Sequence, residues 1–430
     1  MERFVIEGGH ALEGSVRPSG SKNEALPVLA ACLLSSEPIT LTNLPDIVDV
    51  RVMLEVLEDL GCEVVRGPSG PDGWSVKITA AELRGPELEP ELCKRIRASI
   101  LFAGPMVARL GSVKLPPPGG DVIGRRRVDT HFLGLESLGA KLLIEDGYRL
   151  VSDGLVGAEI FLDEQSVTAT ENIIMAAALA KGTTTITNAA CEPHVQGLCR
   201  MLVSMGAEIS GIGTNTLRVT GAERLSGTDH RIGPDYLEIG SFMGLAAVTN
   251  SDVTITDVRP RELRMVLHTF ARLGVEPEMG DDWLRIHPDQ LLKVRQDLHG
   301  AIPRIDDAPW PHFPTDLMSI AITVATQCEG TVLFFEKMFE GRMFFTDSLI
   351  SMGASIILCD PHRIVVVGRS QFYGTRLESP DVRAGMALLI ASLAAKGTSE
   401  IYNIRQIDRG YERVDEKLRA LGARIVRDEA

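Results

Sequence analysis

The chain has 430 residues, too many for one ordinary hydrophobic core, so two domains of roughly 200 residues each are expected. Its 44 Lys+Arg stand against 58 Asp+Glu, a formal charge of -14, which argues against a general nucleic-acid or anionic-membrane surface. Any bound anion has to be met by a local cluster of cations. Apolar runs such as "MALLIASLAA" from Met386 reach about ten residues, short of a bilayer span. The start, "ERFVIEGG" after Met1, lacks the basic and apolar regions of a secretory signal. Seven cysteines, at 32, 62, 93, 191, 199, 328 and 359, form no CxxC pair. That disfavours a disulfide framework and a zinc site, and leaves small, mostly buried, reduced thiols. The expectation is a soluble cytoplasmic protein of two domains, without a nucleic-acid surface and without membrane insertion.

The first predicted element is a strand, "RFVIEG" from Arg3. A helix running into a strand follows, "NEALPVLAACLLSSEPITLTNL", and then an amphipathic helix stopped by glycine, "VDVRVMLEVLEDLG". This pattern recurs along the chain. The helix-to-strand phrase returns as "IRASILFAGPMVARLGSVKLP", "TENIIMAAALAKGTTTITNA", "EIGSFMGLAAVTNSDVTITDV", "DLMSIAITVATQCEGTVLFFE" and "VRAGMALLIASLAAKGTSEIYNI". The stopping glycines fall at 61, 139, 206, 274, 353 and 422, with spacings of 78, 67, 68, 79 and 69. The sequence long, short, short restarts at the fourth copy, so the chain reads as three repeats plus three. A two-strand turn usually follows each glycine, as in "KLLIEDGYRLVS". The first helix of each repeat is apolar nearly all round and is expected inside its domain.

The sixth repeat is short of a strand, and "RFVIEG" is expected to complete it. The first domain then spans 22–232 and the second 1–21 with 233–430. The two crossings, near Ser19–Ser21 and Thr228–Pro234, suit a hinged cleft holding the active site. "GIG" at 211–213 lacks the rest of a dinucleotide loop and is expected to be a hairpin turn.

The starts of the buried helices carry polar residues: Lys22 with Asn23, Arg97, Thr168 with Thr170, Asp316 and Arg383; the fourth, near Glu238, is the least distinctive. Helix N-termini bind anions, phosphates above all, and the guanidinium and ammonium groups would strengthen such a site. The alternatives are solvated Lys22 and Arg97 side chains and an ordinary N-cap at Asp316. Separately, "PPPGGDVIGRRRVDTH" at 116–131 places Asp121 ahead of Arg125, Arg126 and Arg127 in a Pro/Gly-rich loop.

Six motifs in this order resemble the enolpyruvyl transferases. They are "GSKNEALPVLAA" at 20–31, "RASILFAGPMVARLG" at 97–111, "GGDVIGRRRVDTH" at 119–131, "SVTATEN" at 166–172, "FPTD" at 313–316 and "IDRGYERVDEKLRALGA" at 407–423. The resemblance covers essentially the whole chain. It implies two similar inside-out α/β domains, each of three βαβαββ units with buried helices and outer sheets. It implies transfer of the enolpyruvyl group of phosphoenolpyruvate to the 3-hydroxyl of UDP-N-acetylglucosamine, with release of phosphate, as the first committed step of peptidoglycan synthesis. No metal, organic cofactor or obligate protein partner is implied.

By the same resemblance Lys22, Arg126 and Arg409 would hold phosphoenolpyruvate, with Arg383 and Arg97 in the same cationic set. Asn23 would contact the amino sugar and Ser166, Val167 and Thr168 the nucleotide diphosphate, with Met338 also at the substrate. Asp316 would be the base for the hydroxyl. Asp129 would pair with an arginine or help seat the uracil, and Arg125 and Arg127 would face solvent or neighbouring acids. The loop around Asp121 would be a lid. Relatives often carry cysteine there, the thiol alkylated by fosfomycin, so aspartate implies insensitivity to that drug. Asp121 would protonate C3 of phosphoenolpyruvate; alternatively it balances arginines and Lys22 delivers the proton. Two departures from the family pattern, Glu164 for a lysine and His194 for an acid, bear on nucleotide binding; His194 by itself reads as a surface or capping residue. An enzyme of the same family with another acceptor, or a silent UDP-sugar-binding paralogue that regulates a partner, are the rival readings.

Overall fold

The computed structural model describes residues 2–68, 73–119 and 127–429. The chain divides into two compact units. One comprises the described residues from Gly20 to Gly233, the other residues 2–19 together with 234–429.

The first unit is built on three inner helices, α1 (Lys22–Ala31), α2 (Ala103–Leu110) and α3 (Val167–Ala177). The second has α4 (Tyr236–Val248), α5 (Met318–Thr326) and α6 (Val382–Ala394), which pack on one another. Twelve of the thirteen residues of α4 are buried, as expected of a helix apolar on every side. Each unit has its own hydrophobic core. Among the described residues no helix is long and apolar enough to cross a membrane.

Around the inner helices lie small sheets with one recurring order. In the third repeat, Glu159–Phe161 runs parallel to Thr183–Thr187, which pairs antiparallel with Thr216–Thr220, which pairs antiparallel with Glu208–Ser210. Five sheets have these four strands. The sheet of the second repeat has three, and a parallel bridge from Glu87 to Lys114 stands where the edge strand would be. Alternation fixes which face is inside: Thr184 and Ile186 are buried while Thr183, Thr185 and Thr187 are partly exposed. The architecture is therefore α/β with helices inside and sheets outside in each unit.

Six helices close the repeats: Val48–Asp59, Asp129–Ser137, Pro193–Ser204, Arg264–Ala271, Thr346–Ser351 and Val414–Ala420. The glycine beyond each takes φ between 82° and 111°, a left-handed conformation that frees the chain to turn into the next strand. The N-terminal strand Glu2–Glu7 lies between Thr398–Tyr402 and Arg424–Glu429, antiparallel to both, with Phe4 and Ile6 buried. It supplies the strand that the sixth repeat lacks.

Three local expectations need comment. "GIG" does form the turn between Glu208–Ser210 and Thr216–Thr220. The helix read from Arg97 is two pieces, a 3-10 segment Arg97–Phe102 and then α2. Pro105 has no N–H to give to the Leu101 carbonyl, so the α-helical ladder starts only at Ala103. Among the described residues all seven cysteines are free thiols, and every one but Cys359 is buried.

Inner helices α2 and α3 approach closely through Gly104. A Cβ there would lie 2.3 Å from the Asn172 carbonyl oxygen, and the Gly104 N–H donates to Asn172 Oδ1 at 2.7 Å. Neither helix backbone can yield cheaply. Gly104→Ala is expected to destabilise the protein by about 1–3 kcal/mol, read as a lower urea midpoint with an unchanged slope.

Candidate active site

The residues singled out from the sequence fall into two sets, one in each unit. In the first unit Lys22 is the first residue of α1, and its Nζ lies 2.7 Å from Asp49 Oδ2. Both side chains are nearly buried, 11% and 5% exposed, so the pair is well screened from water. Asp49 stands in the first turn of Val48–Asp59, where an acid also suits the helix dipole. The solvated alternative for Lys22 therefore fails. Asn23 follows it, half-buried. Arg97 is half-buried and donates Nη2–H to the carbonyl of Arg127 at 3.1 Å, which ties the start of its 3-10 segment to the end of the arginine run.

Arg127 pairs with Asp129 at 3.3 Å and Asp163 at 3.0 Å, and Asp163 also accepts from Thr130. Arg127 and Asp129 are both exposed. Asp121, Arg125 and Arg126 lie outside the described residues.

Ser166 is the N-cap of α3, accepting from Ala169 N, and Val167 and Thr168 form its first turn. A buried histidine stands behind Thr168. Asn172 Nδ2 gives one hydrogen to the Ile100 carbonyl and the other to His131 Nδ1. His131 Nδ1 is therefore an acceptor, and Nε2–H donates to Thr168 Oγ1 at 3.1 Å. Burial, with Arg97 adding to it, pushes His131 down to about 3, so the ring is neutral. Having accepted from His131, the Thr168 hydroxyl can direct its own proton outward. Thr170 differs: it is fully buried, donates to Ser166 O and accepts from Ala190 N, a structural role. Glu164 is exposed. His194 is buried at the start of Pro193–Ser204, not at the surface as read from the sequence, because its helix packs on α1.

The second unit gathers Asp316 between two guanidinium groups. Arg342 Nη2 lies 2.5 Å from Asp316 Oδ1 and Arg383 Nε 3.2 Å from Oδ2. The arginine side chains are 9% and 6% exposed, the aspartate 23%. Asp316 belongs to the 3-10 turn Thr315–Leu317 that leads into α5; the N-cap of the turn is Pro314 and that of α5 is Leu317. The plain N-cap reading is thereby corrected: Asp316 holds neither N-cap position, and each of its oxygens meets a guanidinium group. Asp381 is the N-cap of α6, accepting from Arg383 N and Ala384 N. Burial works against the charge of Arg383, but Asp316, Tyr411 and Asp235 hold it protonated. Arg383 Nη1 and Arg342 Nε are buried with no hydrogen-bond partner. Buried donors left in this state are costly unless an anion arrives to accept from them.

Arg409 follows the short helix Arg405–Asp408 and donates to Gln406 Oε1 at 3.1 Å. Met338 is 39% exposed on the loop after Gly330–Phe335, with its N–H on Glu336 Oε1 at 3.1 Å. The start of α4, undistinguished in the sequence, is also a charged site. Glu238 is buried and meets Lys417 Nζ at 2.5 Å and the N–H of Ser19 at 2.8 Å.

Sequence reasoning missed Asp49, His131, Arg342 and Lys417, and it located Glu238 without giving it a role. Asp49 and Arg342 sit in no motif, and only the tertiary fold brings them to Lys22 and Asp316. Among the described residues no group of His, Cys, Asp and Glu is arranged to hold a metal ion.

Comparison with known proteins gives a consistent result. The family described as EPSP synthase (3-phosphoshikimate 1-carboxyvinyltransferase) matches residues 6–418. The chain is 54% identical to the UDP-N-acetylglucosamine 1-carboxyvinyltransferase of Treponema denticola, over 99% of both chains. It is 52% identical to the protein of that name from Bradyrhizobium diazoefficiens, over 99% of this chain and 98% of the other. Among solved structures, the enolpyruvyl transferase NikO from Streptomyces tendae superposes with a TM-score of 0.88 at 25% identity, covering 100% of this chain and 99% of its own. EPSP synthase from Acinetobacter baumannii shares the fold, with a TM-score of 0.75 at 19% identity over the whole of both chains.

Proposed function

The chain belongs to the EPSP synthase family of carboxyvinyl transferases, and we propose that it moves the enolpyruvyl group of phosphoenolpyruvate to the 3-hydroxyl of UDP-N-acetylglucosamine. One observation carries the choice of acceptor: relatives more than half identical over the full length bear that activity in their names. The geometry supports the chemistry, since it supplies a carboxylate among guanidinium groups in one unit and a shielded ammonium group in the other. The reaction would take place in the cytoplasm as the first committed step of peptidoglycan synthesis.

The hydroxyl attacks C2 of phosphoenolpyruvate while C3 takes a proton, giving a tetrahedral ketal; C3 then gives up a proton as phosphate leaves, which restores the double bond in the enolpyruvyl ether. Asp316 is the base for the hydroxyl proton. Its arginine neighbours aim it, and their open N–H groups donate to the negatively charged substrates. Lys22, Arg126 and Arg409 hold phosphoenolpyruvate with Arg383 and Arg97. Asn23 and Met338 meet the sugar, and Ser166, Val167, Thr168 and Asp129 the nucleotide. Asp121 or Lys22 supplies the C3 proton.

The test is release of inorganic phosphate from phosphoenolpyruvate, with UDP-N-acetylglucosamine and shikimate 3-phosphate offered separately. Release with the nucleotide sugar alone is expected. Release only with shikimate 3-phosphate would keep the family and overturn the acceptor. Tight UDP-sugar binding without turnover would point to a silent, regulatory relative.

A further inference from the structure

Two carboxyl groups that this chemistry does not use lie together in the second unit. Asp307 follows the strand Arg304–Asp306, and Glu336 follows Gly330–Phe335, its parallel neighbour. Both are fully buried. Lys337 N donates to Asp307 Oδ1 at 2.6 Å, whereas Asp307 Oδ2 has no donor within reach. Glu336 accepts from the Thr315 hydroxyl at 2.9 Å and from the N–H groups of Met338 and Phe339 at 3.1 and 3.0 Å. Asp307 and Glu336 come next in register after the paired Asp306 and Phe335, so the two buried carboxyl groups lie on the same face of adjacent strands. Ionised carboxylates only accept, so the orphaned Asp307 Oδ2 can find a partner in Glu336 only while one of the two carries a proton.

We propose that Asp307 and Glu336 share one proton and act as a positioning pair, fixing at once the turn that carries Asp316 and the loop that carries Met338. Thr315, immediately before Asp316, hangs on Glu336 through its hydroxyl, and residues 338–339 hang on it through their N–H groups. Loss of the proton sets two negative charges side by side in a buried wall, and the two strand ends part. Both segments then lose their common anchor.

The surroundings agree with this assignment. Burial first, and Asp307 second, push Glu336 up to about 8. Arg342 favours the ionised form but is engaged by Asp316 and also senses Asp381. Lys337 and Arg304 are drawn to Asp306, which His312 also faces. His362 gives its Nδ1–H to the Glu336 backbone carbonyl, not to the carboxyl group. None of these groups replaces the shared proton. A carboxyl whose folded value is raised contributes stability that is whole below its ordinary value of 4.5. That contribution is lost as pH climbs to the folded value, and stability is flat beyond it.

Glu336→Gln keeps an oxygen for the two backbone N–H groups and offers an N–H to Asp307 Oδ2 at every pH. It is a fixed copy of the protonated acid. Thermal melts of the full chain should show the variant's Tm gaining on the wild type by at least about 3 °C between pH 5 and pH 9. A gap that does not move with pH overturns the shared proton, and this readout needs no assumption about activity. The positioning half rests on the proposed function. There, the KM for UDP-N-acetylglucosamine of the wild type is expected to rise about threefold or more between pH 6.5 and pH 9, with a smaller change in kcat, while that of Glu336→Gln stays level. Parallel KM profiles beside a moving Tm gap would overturn the positioning role. Asp307→Asn, which removes the second negative charge, gives the same comparison if the glutamine variant does not fold.

Discussion

Asp316→Asn is expected to lower phosphate release from phosphoenolpyruvate by about 10³-fold, with the fold retained. Asparagine has the size of aspartate and can still lie between Arg342 and Arg383, but it cannot take a proton from the sugar hydroxyl. The change also removes the negative charge from between two buried cations. Breaking a buried pair in this way costs about 3–5 kcal/mol, reduced here because Asp316 keeps 23% of its side-chain surface in water. The two effects separate experimentally. A melt reads the charge loss, and single-turnover phosphate release at saturating substrates reads the chemistry. Activity within about tenfold of the wild type would remove Asp316 from the role of base, whatever the melt shows.

The arginines around Asp316 show where sequence reading stops. The motif "FPTD" marks the aspartate, and its place at a helix start is legible because the apolar run of α5 begins just after it. Arg342 stands in "EGRMFF", a stretch with no periodicity or motif of its own. It reaches Asp316 only because the loop beyond Gly330–Phe335 folds back over the turn at Thr315, a contact between residues 26 apart. The same loop carries Glu336, and no motif marks it or its neighbour Asp307. Burial and partner choice are tertiary facts, and neither follows from residue type.

The repeat architecture was legible for the opposite reason. Each closing helix must end at a residue able to take positive φ before a strand, so glycine recurs at 61, 139, 206, 274, 353 and 422 whatever the sequence around it. The apolar circumference of α4, α5 and α6 likewise leaves nowhere for them but the interior. At Arg97 the same reasoning erred locally. Arg97 does stand at the start of the segment, but one proline eight residues on changes the hydrogen-bond pattern of the segment between. The surface half of the reading of His194 failed because residue type does not tell burial, and here its helix lies against α1.

Lys22→Ala is expected to be as damaging as the loss of Asp316, and in two separable ways. Catalysis should fall by about 10³-fold or more, as the ammonium group would both hold phosphoenolpyruvate and stand as a possible source of the C3 proton. Stability should fall too, by about 3–5 kcal/mol, because Asp49 is left charged and 95% enclosed without its partner 2.7 Å away. Removing both groups tests the pairing. In Lys22→Ala with Asp49→Ala the stranded carboxylate is gone, so most of the lost stability should return while activity does not. Urea unfolding of the two single variants and the double variant closes the cycle, with a coupling between the positions of about 3 kcal/mol or more. If the double variant is as unstable as the sum of its parents, Asp49 does not hold Lys22 in any energetic sense. If instead it regains activity along with stability, Lys22 serves the fold alone, and the proton for C3 comes from elsewhere.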